Sequence, residues 1–190
     1  VKKIVLTGAP SSGKSSALKH LMRLGWPKVA FVPETARVLL GAGYPTPAHG
    51  SLEQIHAFQK DILSLQASIE AAWDARAAQL RHLVLDRGRP DGAGFWPAGE
   101  EDYFRSFSMN AAHELSRYDH VLFLALPPEG DFGAQDAERF HDYAQSLEVE
   151  QRLNALWARH PGFELVPAQP SLEAKIALVE ERVRVLMGQL

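Results

Sequence analysis

The chain has no cysteine among its 190 residues. That excludes disulfides and thiolate metal sites and agrees with a reducing compartment. No apolar run approaches the ~20 residues of a membrane span, so no contact with a membrane is expected. Neither sign of charge dominates. Twenty Lys and Arg against 23 Asp and Glu leave a formal charge of −3, which gives no footprint for non-specific nucleic-acid binding. Repeats and low-complexity tracts are missing, and the first residues read as a strand rather than an export signal. A cytoplasmic protein is the expectation. The eight histidines show no H-E-x-x-H spacing. His113-Glu114 lacks the second histidine, so a surface or packed role is expected there. The guanine-reading pattern N-K-x-D is absent too.

What is present is concentrated near the start. Gly8-Ala9-Pro10-Ser11-Ser12-Gly13-Lys14-Ser15 fits G-x-x-x-x-G-K-[ST] without mismatch. That spacing wraps a loop around a polyphosphate, because glycines let the backbone turn its N–H groups inward. Lys14 would reach the β- and γ-phosphates, and the Ser15 hydroxyl would ligate Mg²⁺. Ser16 closes the same segment. The flanks fit: Lys3 to Thr7 reads as a buried strand and Ser15 to Leu24 as a helix. A strand, a glycine loop and a helix N-terminus make an anion site. As a loop residue, Lys14 is expected to be exposed and to contribute little to packing.

Strand and helix patterns alternate along the rest, in a length that suits a single domain over residues 1–190. Val29 to Val32 is a second strand, and Glu34 to Leu40 a short helix after Pro33. Ser51-Leu52-Glu53-Gln54 is a capping-box pattern. Leu52, Ile55, Phe58, Ile62, Leu65, Ile69, Trp73 and Leu80 then recur at helical spacing, a stripe expected to face the core. Leu83 to Leu85 is a third strand ending at Asp86, and residues 88–100 read as a Gly- and Pro-rich loop. Glu101 to Arg117 reads as one helix, His120 to Leu126 as a fourth strand, and Asp136 to Arg159 as a helix capped by Asp136. Phe163 to Val166 is a fifth strand, and Ser171 caps a last helix. Five short apolar strands alternating with helices imply an α/β fold, a parallel sheet covered on both faces. The chemistry belongs at the carboxyl ends of its strands.

Those ends carry Glu34 and Asp86. Asp86 ends an apolar strand, where the second Mg²⁺-coordinating acid of such a loop protein lies; a solvated strand-end Asp is the alternative. Arg87 can neutralise phosphate charge or pair with a carboxylate. Glu34 can hold an attacking hydroxyl or accept its proton, or be a first-turn Glu favoured by its own helix. Arg37, one turn on, binds substrate or pairs with Glu34. The connection after the fourth strand, residues 127–140, is a candidate lid. Arg139 within it could stabilise charge on the transferring group, and Arg152 further along could do the same. Both are also ordinary surface-helix residues. Phe95 and Trp96 either cover a planar substrate or anchor their loop.

Together these features resemble the kinase-like P-loop ATPase family that includes the ribosylnicotinamide kinase domain of the bifunctional NAD regulator. The matching pieces are Gly8 to Ser16, Val32-Pro33-Glu34-Thr35-Ala36-Arg37, and Asp86-Arg87-Gly88-Arg89-Pro90-Asp91. Tyr118 to Leu124 followed by prolines, and Asp136-Ala137-Glu138-Arg139, fit as well. The resemblance implies a three-layer P-loop NTPase fold with five parallel strands in the kinase-type order 2-3-1-4-5. It puts the acceptor-side acid at Glu34, the Mg²⁺-side acid at Asp86 and the lid arginine at Arg139. It implies Mg²⁺-dependent phosphoryl transfer from ATP to a hydroxyl of a small, nucleoside-like metabolite. GTP is the other candidate nucleotide. Some members act as nucleotide-dependent regulators, so an ATPase or GTPase switch without a small acceptor is the alternative. A polynucleotide 5′-kinase runs against the mild acidity. Adenine selection is expected near Pro167 and Ala168, by fold analogy. No nucleotidyltransferase partner domain accompanies the chain, so no NAD role is implied, and the oligomeric state stays open.

Overall fold

The computed structural model describes residues 1–47, 50–132 and 142–188. Five strands form one sheet: β1 (Lys2–Thr7), β2 (Val29–Val32), β3 (His82–Asp86), β4 (His120–Leu124) and β5 (Phe163–Val166). Their order is β2-β3-β1-β4-β5, and every pairing is parallel. This is the α/β arrangement and the strand order expected of a P-loop NTPase. The central strand β1 carries the glycine loop at its carboxyl end. Its register with β3 sets Leu6 opposite Asp86, so the acid stands beside the loop.

The period-two alternation of the strands sorts side chains onto two faces. Ile4, Leu6, Val84, Leu122 and Leu124 pack under α1 (Lys14–Arg23) and α7 (Leu172–Leu186), against Leu18, Leu21, Val179 and Val183. Val5, Leu83, Leu85, Val121 and Phe123 point the other way. There they meet Trp96, Tyr103, Leu153 and Trp157, from the segment after β3 and from α6 (Tyr143–Trp157). Both faces are therefore covered, giving three layers.

The remaining helices shape the cleft above the strand ends. α2 (Thr35–Gly41) follows β2, and α3 (Leu52–Asp74) follows α2. The capping box at Ser51 and Gln54 is formed. α3 stops at Asp74 and a 3-10 turn follows at Ala77–Gln79, so Leu80 packs on the core from outside the helix. The stretch expected to be one helix from Glu101 to Arg117 is two, α4 (Glu100–Ser106) and α5 (Ala111–Leu115). Ser108 breaks it with a φ of 53°, and the Asn110 side chain caps the new start by accepting from the His113 N–H at 3.0 Å. The Gly- and Pro-rich stretch after β3 is a 3-10 helix over Arg89–Phe95 rather than open loop. α6 has its own capping box at Asp142 and Gln145; the expected cap at Asp136 lies outside the described residues. Ser171 caps α7 as expected. Among the described residues no helix is long and apolar enough to cross a membrane.

Candidate functional site

The glycine loop has the backbone its sequence demands. Gly8 and Gly13 lie at φ 134° and 94°, and Ser11 at 70°. A Cβ on Gly8 would stand 2.3 Å from the Leu124 carbonyl oxygen of β4, so no other residue fits between the two strands. Gly13 is the N-cap of α1 and provides no capping side chain. The first N–H groups of that helix are left for an anion. Lys14 departs from expectation. It is 4% exposed, because its chain curls back into the loop, where Nζ donates to Ala9 O at 2.6 Å and Ser12 Oγ at 3.1 Å. Burial, with the Arg87 charge nearby, lowers its pKa to about 7.

Asp86 sits at the end of β3 and is 1% exposed. Ser15 Oγ donates to its Oδ2 at 2.6 Å, whereas Oδ1 is buried with no hydrogen-bond partner among the described residues. Burial and the neighbouring Glu34 carboxylate push its pKa up. A hydroxyl beside a carboxylate with a spare oxygen is a hard donor set. It suits Mg²⁺, which binds through one or two carboxylates plus substrate phosphates.

Glu34 is the N-cap residue of α2. It stands at the N-terminus of that helix, where the helix favours its charge, and its side chain turns inward to two arginines. Arg87 Nε donates to its Oε1 at 2.8 Å, and Arg37 Nε to its Oε2 at 3.2 Å. Although burial opposes ionisation, Arg87 and then Lys14 hold the carboxyl at about 2. Arg87 therefore pairs with carboxylates in this structure. Its Nη1 donates to Gly8 O at 2.9 Å and Asp91 Oδ2 at 3.2 Å, its guanidinium lies 4.9 Å over Phe95, and its φ is 76°. Behind it, Thr35 donates to Gln66, whose amide donates to Glu70 and to Arg87 O. α3 thus braces both the acid and its arginine.

Asp91 ends one of the matching segments, but sequence reasoning assigned it no role. It is 2% exposed and accepts from Thr7 Oγ1 at 2.8 and 2.9 Å, from Trp157 Nε1 at 2.6 Å and from Arg87. Its partners come from β1, α6 and the strand-end segment, so they meet only in the fold. The sequence signal is its place in Asp86-Arg87-Gly88-Arg89-Pro90-Asp91, which has no meaning without those partners.

Lys14, Ser15, Glu34, Arg37, Arg87 and Asp91 line one cleft of about 750 Å³, running from the loop past Glu34 to α3 and bordered by α6 and the start of α7; Asp86 lies beneath it, bonded to Ser15. Phe95 lines it. Trp96 does not: it is 2% exposed, donates to Asp102 and stacks on His56, which makes it an anchor. Arg152 lines the cleft beside Glu148, 3.9 Å away. Beyond β5 the lining takes up at Gln169 and Pro170, directly after Pro167 and Ala168. Lys175, also given no role, reaches from α7 to Ala125 O at 2.7 Å and Ser12 O at 3.4 Å, and so ties the glycine loop to the residue that follows β4. Arg139 and positions 133–140 of the candidate lid lie outside the described residues. No group of three or more His, Cys, Asp or Glu side chains is placed to hold a metal ion among the described residues, so a cation here would rely on phosphate oxygens as well.

No curated protein matches the chain. The model of one family, described as an AAA domain, matches residues 3–175. The chain belongs to that family of P-loop NTPase-type domains.

Proposed function

Starting from an AAA domain of the P-loop NTPase type, we propose that this protein transfers the γ-phosphoryl group of ATP to a hydroxyl of a small, nucleoside-like metabolite, as the kinases it resembles do. The observation that carries this reading is the single cleft joining the glycine loop to the α2–α3 wall through Glu34. A hydrolytic switch needs a place for water. The extension of the cleft from the glycine loop to α3, about 750 Å³ in all, supports a place for a second organic molecule.

In this reading residues 1–190 act as one domain, with residues 127–140 as its lid. The amides of Gly8 to Ser16 and the Lys14 ammonium hold the β- and γ-phosphates. Ser15 and Asp86 would hold Mg²⁺, which would supply charge neutralisation to the phosphates. Glu34 accepts a hydrogen bond from the acceptor hydroxyl and sets it in line with phosphorus. The bond from phosphorus to the ADP oxygen breaks, the bond to the acceptor oxygen forms, and the hydroxyl proton passes late to a Glu34 oxygen and from there to solvent. A carboxyl with a pKa of about 2 is a weak base, so Glu34 works by orientation more than by early proton removal. Arg37 borders the acceptor, Arg87 fixes Glu34, and Arg139 is the lid cation.

The test is a screen of metabolite mixtures with the purified chain, ATP and Mg²⁺, read by mass spectrometry for a phosphorylated product. One dominant product is expected, diminished by Glu34→Gln with nucleotide affinity kept. Turnover of ATP with no phosphorylated metabolite in any mixture would reject transfer in favour of the hydrolytic switch.

A further inference from the structure

The apolar stripe of α3 serves two different surfaces. Ile69 and Trp73, in its second half, pack on the sheet. Ile55, Phe58 and Ile62, in its first half, belong to neither core cluster among the described residues and line the cleft instead. With Gln59 and Gln66 they follow a helical i, i+3, i+4, i+7, i+11 spacing. None of the five carries a charge. Two acids next to this wall are already engaged: Glu34 by Arg87 and Arg37, and Glu70 by Gln66, Tyr118 and Lys3.

The two glutamines on this face are not equivalent. Gln66 is buried and engaged with Thr35, Glu70 and Arg87. Gln59 is only 9% exposed, faces the cleft, and its amide makes no hydrogen bond among the described residues. Neither amide atom is among the fully buried unpartnered ones, so both open onto solvent in the cleft. A ligand in the cleft would provide the partner. A carboxamide offers one acceptor and two donors in a plane, which suits an amide or a carbonyl beside an N–H.

We propose that this α3 wall is the acceptor-specificity surface, and that the acceptor is an uncharged alcohol with an apolar, ring-sized body and one amide-like group hydrogen-bonded to Gln59. The inference rests on the phosphoryl-transfer reading only in naming the ligand an acceptor; binding to the wall stands independently. A cationic alcohol finds no carboxylate on this wall, and Arg37 lines the same cleft; the acids Asp131 and Glu148 line it elsewhere.

The probes are para-(hydroxymethyl)benzamide and para-(hydroxymethyl)benzylamine, the latter protonated at neutral pH. Binding to the intact chain with ADP and Mg²⁺ is followed by ligand-observed NMR titration. The benzamide should bind at least about tenfold more tightly than the ammonium, and Gln59→Leu should cost the benzamide at least about tenfold. Gln59→Glu keeps the length of the side chain and guards against a folding defect; it should reverse the preference in favour of the ammonium. No binding of the benzamide, equal binding of both probes, or insensitivity to both substitutions overturns the proposal. Replacing ADP by ATP separates it from the parent reading. Binding of the benzamide without a phosphorylated product rejects phosphoryl transfer while the recognition surface stands.

Discussion

The ion pair between Glu34 and Arg87 makes a quantitative prediction about stability. Glu34 ionises at about 2 instead of its ordinary 4.5, and its side chain is 17% exposed, so solvent screens it little. That difference corresponds to about 3 kcal/mol of stability. The sign follows from the depressed pKa. The folded state binds the proton less well than the unfolded chain, so the contribution is complete above 4.5 and is lost as the pH falls through about 2. Gln resembles the protonated form. Glu34→Gln should therefore lower the unfolding free energy by about 3 kcal/mol at neutral pH and by about 1 kcal/mol near pH 3, measured by urea denaturation with parent and variant side by side. A cycle with Arg87→Met identifies the cause. Removing Arg87 leaves Glu34 and Asp91 buried without their cation, at a cost of about 3–5 kcal/mol. In that background Glu34→Gln should be neutral or stabilising. A loss on Glu34→Gln that is the same at both pH values, or one that persists undiminished beside Arg87→Met, would refute the assignment of the pair.

Three further outcomes are expected. Lys14→Met should abolish nucleotide turnover while the denaturation midpoint holds or rises, because the ammonium is buried and its pKa of about 7 records an unfavourable burial; a lower midpoint counts against this. Gly8→Ala should weaken nucleotide binding and cost roughly 1–3 kcal/mol, since its Cβ would meet the Leu124 carbonyl oxygen at 2.3 Å, and wild-type calorimetric affinity would refute it. Asp91→Ala should cost about 3–5 kcal/mol through the stranded Thr7, Trp157 and Arg87 donors. Its Trp157 fluorescence should shift even before unfolding, and an unchanged spectrum would count against the Trp157 bond.

The sheet and the loop were legible because their signals are local. Each strand is a short apolar run, and the glycine spacing carries its own backbone geometry. The order of strands came from resemblance, not from the runs themselves. The helix over Glu101 to Arg117 failed because the left-handed turn at Ser108 has no glycine to announce it. The α3 stripe was legible as a helix face, but periodicity says only that one face is apolar. It does not say what covers that face, and here one half packs on the core cluster while the other lines the cleft. Asp86 and Glu34 could be read from strand ends. Asp91 could not, since Trp157 lies 66 positions away and only the packing of α6 on the strand-end segment joins them. The burial of Lys14 was hidden for the same reason: a loop in sequence is exposed by default, and this one is folded under α7.

Arg87 shows how the parts of the site constrain one another. The sequence left it free to face phosphate or to pair with an acid. In the fold its Nε is committed to Glu34, its Nη1 to the Gly8 carbonyl and Asp91, and one face to Phe95. A planar guanidinium can meet these directions at once; an ammonium on a flexible stem cannot. The left-handed backbone at Arg87 costs on the order of 1–3 kcal/mol, a strain that persists only because so many contacts over-determine it. A guanidinium bound in this way cannot swing onto a transferring group without releasing the acid and the loop carbonyl together. Its electrostatic effect is therefore fixed in place: it keeps Glu34 ionised beside the phosphate loop and holds the acid and the loop at one distance. That is pre-organisation, the arrangement in which charge stabilises a transition state without reorganising first.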